Sequence, residues 1–175
     1  MSLFNIGAKP PPSFDDPVSV LAACHRKIED RVTRLERAAA APVSPEARDV
    51  FAEVTRYFDG AGVRHTQDEE ASIFPRLAGE GIDALLASLE ADHRAAEAIY
   101  LAVRTVIGRL GEAPSSDDDA LRADLVEHAR ALAQAYREHI RREEAELFPF
   151  IRALEPAQLR AIGIEMRLRR GGDSL

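Results

Sequence analysis

Two strings in this sequence carry the side chains best suited to chemistry: HTQDEEASIFP, from His65 to Pro75, and HIRREEAELFP, from His139 to Pro149. In each, a histidine is followed four residues later by a glutamate (Glu69, Glu143). A second glutamate (Glu70, Glu144), an alanine and a Phe-Pro step then follow, all at a constant offset of 74 residues. On a helix at about 100° per residue, positions four apart project from nearly the same face. Each string therefore aims an imidazole nitrogen and a carboxylate oxygen in one direction. Such a donor pair suits a borderline or hard transition ion: iron, manganese or zinc.

The elements that must hold these pairs follow from composition and period. At 175 residues and 46% hydrophobic, the chain is sized for one domain with a substantial core. Ala, Leu, Glu and Arg dominate, aromatics are 6%, and no Val/Ile/Thr-rich alternation persists, which predicts an all-α fold. Residues 1–15, with Pro10, Pro11 and Pro12, are expected to form an extended arm. Asp16-Pro17 then starts a helix whose seam is Leu21, Ile28, Val32 and Leu35, with His25 in the remaining slot. Ser44-Pro45 starts a second helix with Phe51, Val54 and Phe58 inward. The Asp59-Gly60-Ala61-Gly62 step weakens it, yet the phase runs on through His65 and Glu69, so it reads as one helix with room for a bend. Pro75 is expected to kink its last turns by clashing with the Ala71 carbonyl, before Gly79-Glu80-Gly81 ends it.

A third helix, from about Ile82 to Leu110, repeats the seam through Leu89, Ala96, Tyr100, Val103 and Ile107, with His93 in it. GEAPSSDDD reads as a loop. A long fourth helix, from about Asp118 to Leu154, turns Leu121, Leu125, His128, Leu132, Ala135, His139, Glu143 and Leu147 inward, and Pro149 should bend it. The remainder, residues 156–175, reads as a short fifth helix from Pro156 with a tail, docking through Ile162, Met166 and Leu159.

A larger repeat underlies this order. Helices one and three align at an offset of 68, pairing Leu21 with Leu89, His25 with His93 and Glu29 with Glu97. The chain thus reads as two helical hairpins, residues 17–78 and 82–154, each with one seam histidine and one HxxxE pair, and pseudo-twofold symmetry follows. In an up-down-up-down bundle the four histidines fall at one level within roughly 10 Å at 1.5 Å per residue. Two buried carboxylates facing each other would repel. Two metal ions, each with two terminal histidines and both spanned by Glu69 and Glu143, would use all six groups and satisfy every charge.

One histidine, HxxxE, one histidine, HxxxE on four successive helices, with EE and FP trailing each HxxxE, resembles the hemerythrin-like HHE cation-binding family. The resemblance runs from about Asp16 through the terminal helix. It implies a left-handed up-down-up-down four-helix bundle, residues 16–155, around a non-heme diiron centre with an oxo or hydroxo bridge. Carried over by position, His25 and His65 would bind one iron, His93 and His139 the other, and Glu69 and Glu143 would bridge. Manganese or zinc could substitute. Oxygen-carrying members have a second histidine four residues after the one on helix three; here that position is Glu97. A carboxylate there hardens the ligand set, puts reversible oxygen carriage in doubt, and makes Glu97 a candidate seventh ligand. Glu29, its symmetry mate, reads more simply as a surface residue.

Other signals carry less. A formal charge of minus seven with scattered basic residues excludes a nucleic-acid face. No apolar run approaches a membrane span. The single Cys24 and the absence of a leader pattern in MSLFNIGAKPPP point to the reducing cytoplasm. His128 lies three turns from His139 and reads as a core residue, and Glu70 and Glu144, about 100° from the ligand glutamates, as outer support. Tyr57, Tyr100 and Tyr136 read as packing. A ferritin-like dimetal site needs two Glu-x-x-His pairs, and only Glu90 to His93 fits. The functions expected are a diiron binder of oxygen, nitric oxide or peroxide for sensing, storage or detoxification; a peroxide-consuming or ferroxidase-type enzyme on the same site; or a metal-free bundle that binds a partner. Oligomeric state is not legible.

Overall fold

The computed structural model describes residues 11–42, 44–110 and 118–171. These form five helices and, among the described residues, no strand: α1 (Pro17–Ala40), α2 (residues 45–77), α3 (Asp83–Leu110), α4 (residues 118–153) and α5 (Pro156–Arg169). The expected arm over residues 1–10 and the loop over residues 111–117 lie outside the described residues. The caps act as read: the Ser19 amide donates to Asp16 Oδ1 at 3.3 Å and the Ala47 amide to Ser44 Oγ at 3.2 Å. Pro17 and Pro45 occupy first-turn positions, where a missing N–H costs no hydrogen bond. Residues 13–16 do not run extended. Asp16 donates its amide to the Ser13 carbonyl at 2.9 Å, and the turn buries Phe14.

α2 and α4 are continuous but contain π-helical turns at Phe58–Gly62, Glu69–Ile73 and Glu143–Leu147. The strain expected at Pro75 and Pro149 is taken up here. Phe74 donates its amide to the Glu69 carbonyl and Phe148 to the Glu143 carbonyl, five residues back instead of four. The wider turn displaces the carbonyl that a proline ring would otherwise strike. The two halves repeat this irregularity, and in each it begins at the glutamate of HxxxE.

Arg48 Nη1 donates to the Leu110 carbonyl at 3.2 Å, and Arg122 Nη2 to the Ala41 carbonyl at 3.4 Å. The starts of α2 and α4 therefore meet the ends of α3 and α1, which is the up-down-up-down order. The interior has two apolar clusters. One packs Val32, Leu35, Phe51, Val54, Val103 and Leu125 toward that end, and the other packs Leu21, Ile73, Leu89, Leu147, Ile151 and Met166 toward the opposite end. Each fully buried aliphatic side chain contributes about 1.5–3 kcal/mol. Between the clusters lies a layer of buried histidine and glutamate.

One detail differs from the sequence reading. His128 and Ala135 are only half-buried, and the inner stripe of α4 passes through Ala129, Leu132 and Ala133. A helix of 3.6 residues per turn drifts off a strict seven-residue seam by about 20° per heptad, which moves both out of the core. α5 docks as expected through fully buried Ile162 and Met166, with Leu159 partly buried beside them. Its Gly163 lies so close to the turn before α1 that a Cβ there would sit 1.8 Å from the Phe14 carbonyl oxygen.

Candidate metal centre

The polar layer is assembled from all four long helices. α1 supplies His25, α2 His65 and Glu69, α3 His93, and α4 His139 and Glu143; each is buried, and both glutamates are fully so. Two overlapping groups result among the described residues, His25/His65/Glu69/Glu143 and Glu69/His93/His139/Glu143, and within each the donor atoms lie within 4.8 Å of one another. The two glutamates are common to both. Each of these four histidines turns Nε2 inward. His25 lies 3.1 Å from Glu143 Oε2, His65 3.5 Å from Glu69 Oε1, His93 3.2 Å from Glu69 Oε2, and His139 3.2 Å from Glu143 Oε1. The His93 and His139 Nε2 atoms are 3.0 Å apart.

These separations suit coordination. Two donors at about 2.1 Å from one ion and about 90–110° apart are about 3.0–3.4 Å from each other. The alignment points the same way, because the contacts of the two glutamates with these imidazoles are not hydrogen bonds. His25 Nε2, both nitrogens of His65 and all four oxygens of Glu69 and Glu143 are buried without a hydrogen-bond partner. Each such atom costs about 1–3 kcal/mol if left unpaired. Concentrating so many at one spot is costly unless something positively charged joins them, so the donor set fits bound metal.

Electrostatics reinforce the point. Burial pushes the Glu69 carboxyl well above the usual range, and the facing Glu143 adds to the shift. Burial also opposes ionisation of Glu143, but its contacts with His139 and His25 prevail and hold it well below that range. Burial drives the His65 imidazole well below its ordinary value, helped by the neighbouring His25. For His25 and His139 the same burial is outweighed by Glu143, and both are raised. Without a cation, then, the two facing carboxyls are pushed apart, Glu69 toward its protonated form and Glu143 toward its ionised one.

A second ring of contacts orients the imidazoles. Glu144 Oε1 lies 2.9 Å from Nδ1 of His25, and Glu70 Oε1 lies 2.7 Å from Nδ1 of His93. Nδ1 of His139 lies 3.6 Å from Asp92, which accepts from Arg142 at 2.6 Å. By the two sequence offsets, Cys24 stands where Asp92 does and Asp68 where Arg142 does. The first half has no matching ion pair of its own. The fully buried Asp68 instead accepts from Arg169 at 2.9 Å and Arg170 at 2.6 Å, both on the last turn of α5 and the residue after it, while Arg169 also donates to Ser72 Oγ at 2.6 Å.

Glu97 is exposed and belongs to neither group; it lines a cavity of about 470 Å³ beside His93 and His139. Glu29 is exposed as well. Tyr100 and Tyr136 line that cavity, and the Tyr100 hydroxyl donates to Asp59 at 2.7 Å. Sequence reasoning missed Asp68, Asp92 and Arg142. Their signal was present: Asp92 precedes a seam histidine and Arg142 an HxxxE glutamate, while Asp68 and Ser72 share a helix face that the basic tail could reach. A family model described as the hemerythrin HHE cation binding domain matches residues 16–151. No curated protein matches the chain.

Proposed function

The chain belongs to the hemerythrin HHE cation-binding family, and from that premise we propose that it holds two iron ions, with manganese or zinc as substitutes, and uses them to bind oxygen, nitric oxide or peroxide for sensing, storage or detoxification. The observation that carries this reading is the cluster of unpartnered buried donors on Glu69, Glu143, His25 and His65. In the proposed assignment His25 and His65 serve one ion, His93 and His139 the other, and Glu69 and Glu143 span both. Glu97 is left as a ligand only for a state in which its side chain turns inward.

Held by these six side chains, a pair of iron ions would supply one-electron redox chemistry and a place for a small ligand. The protein residues do the rest. Glu144 and Glu70 accept from Nδ1 of His25 and His93, which fixes the tautomer with Nε2 unprotonated and facing inward. Phe148 stacks on His25 with ring centroids 5.5 Å apart, and Phe74 on His93 at 6.1 Å, so that both imidazole planes are held by packing. The apolar clusters above and below exclude water and strengthen every charge interaction in the layer.

A peroxide-consuming enzyme on the same centre is the second reading, favoured by the cavity that reaches His93 and His139. A metal-free bundle is disfavoured by the same unpartnered donors. No helix among the described residues is long and apolar enough to cross a membrane. The charge of minus seven supports a small-molecule ligand over a nucleic acid, and the lone Cys24 suits a reducing cytoplasm. The test is anaerobic iron loading with metal analysis and an optical spectrum, before and after air, peroxide and nitric oxide. About two irons per chain and a spectrum that responds to these ligands are expected; a protein that takes up neither iron, manganese nor zinc refutes the proposal.

A further inference from the structure

We infer that exogenous ligands reach the centre from the His93/His139 half alone, and that the cavity there receives an organic molecule with one oxygen-donor head and an uncharged hydrocarbon body. The two halves match in sequence but not in their coverings. Over the His25/His65 half, α5 closes the face: Arg169 and Arg170 are drawn onto buried Asp68, and Met166 and Ile162 are fully buried beneath it. Phe148 stacks on His25 from the core side. Neither of two other surface cavities, one between Ala23 and Asp30 and one near Val50, touches His25 or His65.

The seam between α2 and α3 is different. α1 packs closely on α2 and on α4, as α3 does on α4, whereas α2 and α3 make few close backbone approaches. The 470 Å³ cavity opens along that seam and ends on His93 and His139, which are also the more exposed of the four ligand-type histidines. A water occupies about 30 Å³ of liquid, so the space far exceeds what a diatomic requires and falls among small-molecule sites. Its walls include Phe58, Val63, Ala96 and Leu101, of which Val63 and Leu101 are large apolar side chains left exposed at the mouth.

Charge defines the occupant further. Both cations on the lining already face carboxylates, Arg104 toward Asp59 at 3.2 Å and Arg94 toward Glu90 at 3.8 Å. Glu70 is spent on His93 and Asp92 on Arg142, and Glu97 remains at the exposed edge. A second negative charge on the ligand would meet these carboxylates with no cation to receive it. A hydrocarbon body meets apolar walls, and its single head, hydroperoxide or carboxylate, meets the metal side.

This inference rests on the metal-binding reading, and the test separates the two. The full chain loaded with zinc, which does not react, is titrated calorimetrically with azide, acetate, octanoate and the dicarboxylate suberate. Octanoate is expected to bind at least tenfold more tightly than either acetate or suberate. Leu101→Trp at the exposed mouth and Ala96→Leu inside are expected to bring octanoate down to the acetate level, with two zincs retained and azide unchanged within about twofold. Competition by cumene hydroperoxide against octanoate identifies the hydroperoxide head, and its failure the carboxylate. Octanoate binding no tighter than acetate, or untouched in both variants, overturns the inference while zinc and azide binding keep the metal reading intact. Loss of zinc binding in the unaltered chain would sink both.

Discussion

Glu144 on α4 lies 2.9 Å from Nδ1 of His25 on α1, and Glu70 on α2 lies 2.7 Å from Nδ1 of His93 on α3. In each case the residue after a buried glutamate of the polar layer reaches across to an imidazole of the other hairpin. Removing such an outer partner leaves the ligand in place but frees its ring to rotate and lowers its basicity. Glu144→Ala and Glu70→Ala are therefore expected to weaken metal binding about 10–100-fold without changing its stoichiometry. Competition titration against a chromophoric chelator reads this directly; affinities equal to the unaltered protein would show these contacts to be incidental.

The ligand-type residues themselves are expected to behave differently. His65→Ala or Glu143→Ala should abolish stoichiometric metal uptake, because each removes a donor from a group of four, and Glu143 from both groups at once. His128→Ala, at a half-buried position off the inner stripe, should leave it unchanged. Elemental analysis after loading and desalting decides; normal metal content in both ligand variants would refute the site.

Much of this centre was written in the sequence because its parts recur. A histidine in a seam slot and HxxxE strings copied at fixed offsets constrain four helices to one level, and no propensity scale is needed to read them. Part of what escaped came from outside the repeat. Asp68 is buried by a helix that the first hairpin does not contain, so its partners Arg169 and Arg170 had no periodic signal to mark them. The π turns at Glu69 and Glu143 escaped for another reason: a proline ring announces strain, but whether a helix bends or widens depends on the packing around it. Glu97 is a candidate by the resemblance alone, four residues after His93; its side chain is exposed on the open seam and belongs to neither donor group.

Removing the metal should cost stability, since the cations neutralise groups that otherwise face each other unpaired. With free metal at 100 times its dissociation constant, linkage alone raises stability by about 2.7 kcal/mol. Chelator treatment should lower Tm, and readdition should restore it. In Glu143→Ala, chelator should have no such effect. A thermal melt of each, with and without chelator, tests the coupling.

The metal-free state carries a pH signature. Burial first, then Glu143, raises the Glu69 carboxyl well above its unfolded value, so the folded chain holds a proton that the unfolded chain has lost. That stabilisation is fully present below the unfolded carboxylate range and is lost as pH rises toward the folded value. Glu69→Gln mimics the protonated form at every pH. The Tm of chelated Glu69→Gln minus that of the chelated unaltered protein should therefore grow from pH 5 to pH 8. A difference that is flat or shrinks would mean that Glu69 is ionised in the metal-free fold.

Two glycines separate packing from propensity. Gly163 on α5 has no room for a side chain, because a Cβ would fall 1.8 Å from the Phe14 carbonyl oxygen, and backbone cannot yield as a flexible side chain does. Gly163→Ala must lift α5 from α1, loosening Ile162 and Met166 and straining the grip of Arg169 and Arg170 on Asp68. A loss near the upper end of the range of about 1–3 kcal/mol for overpacking is expected. Gly108, on the exposed side of α3, meets nothing within 4 Å. Gly108→Ala gains helix propensity and should stabilise by up to about 1 kcal/mol. Urea denaturation of the two variants should move the midpoint in opposite directions, and a Gly163→Ala protein as stable as its parent would show that α5 is not seated against the Phe14 turn.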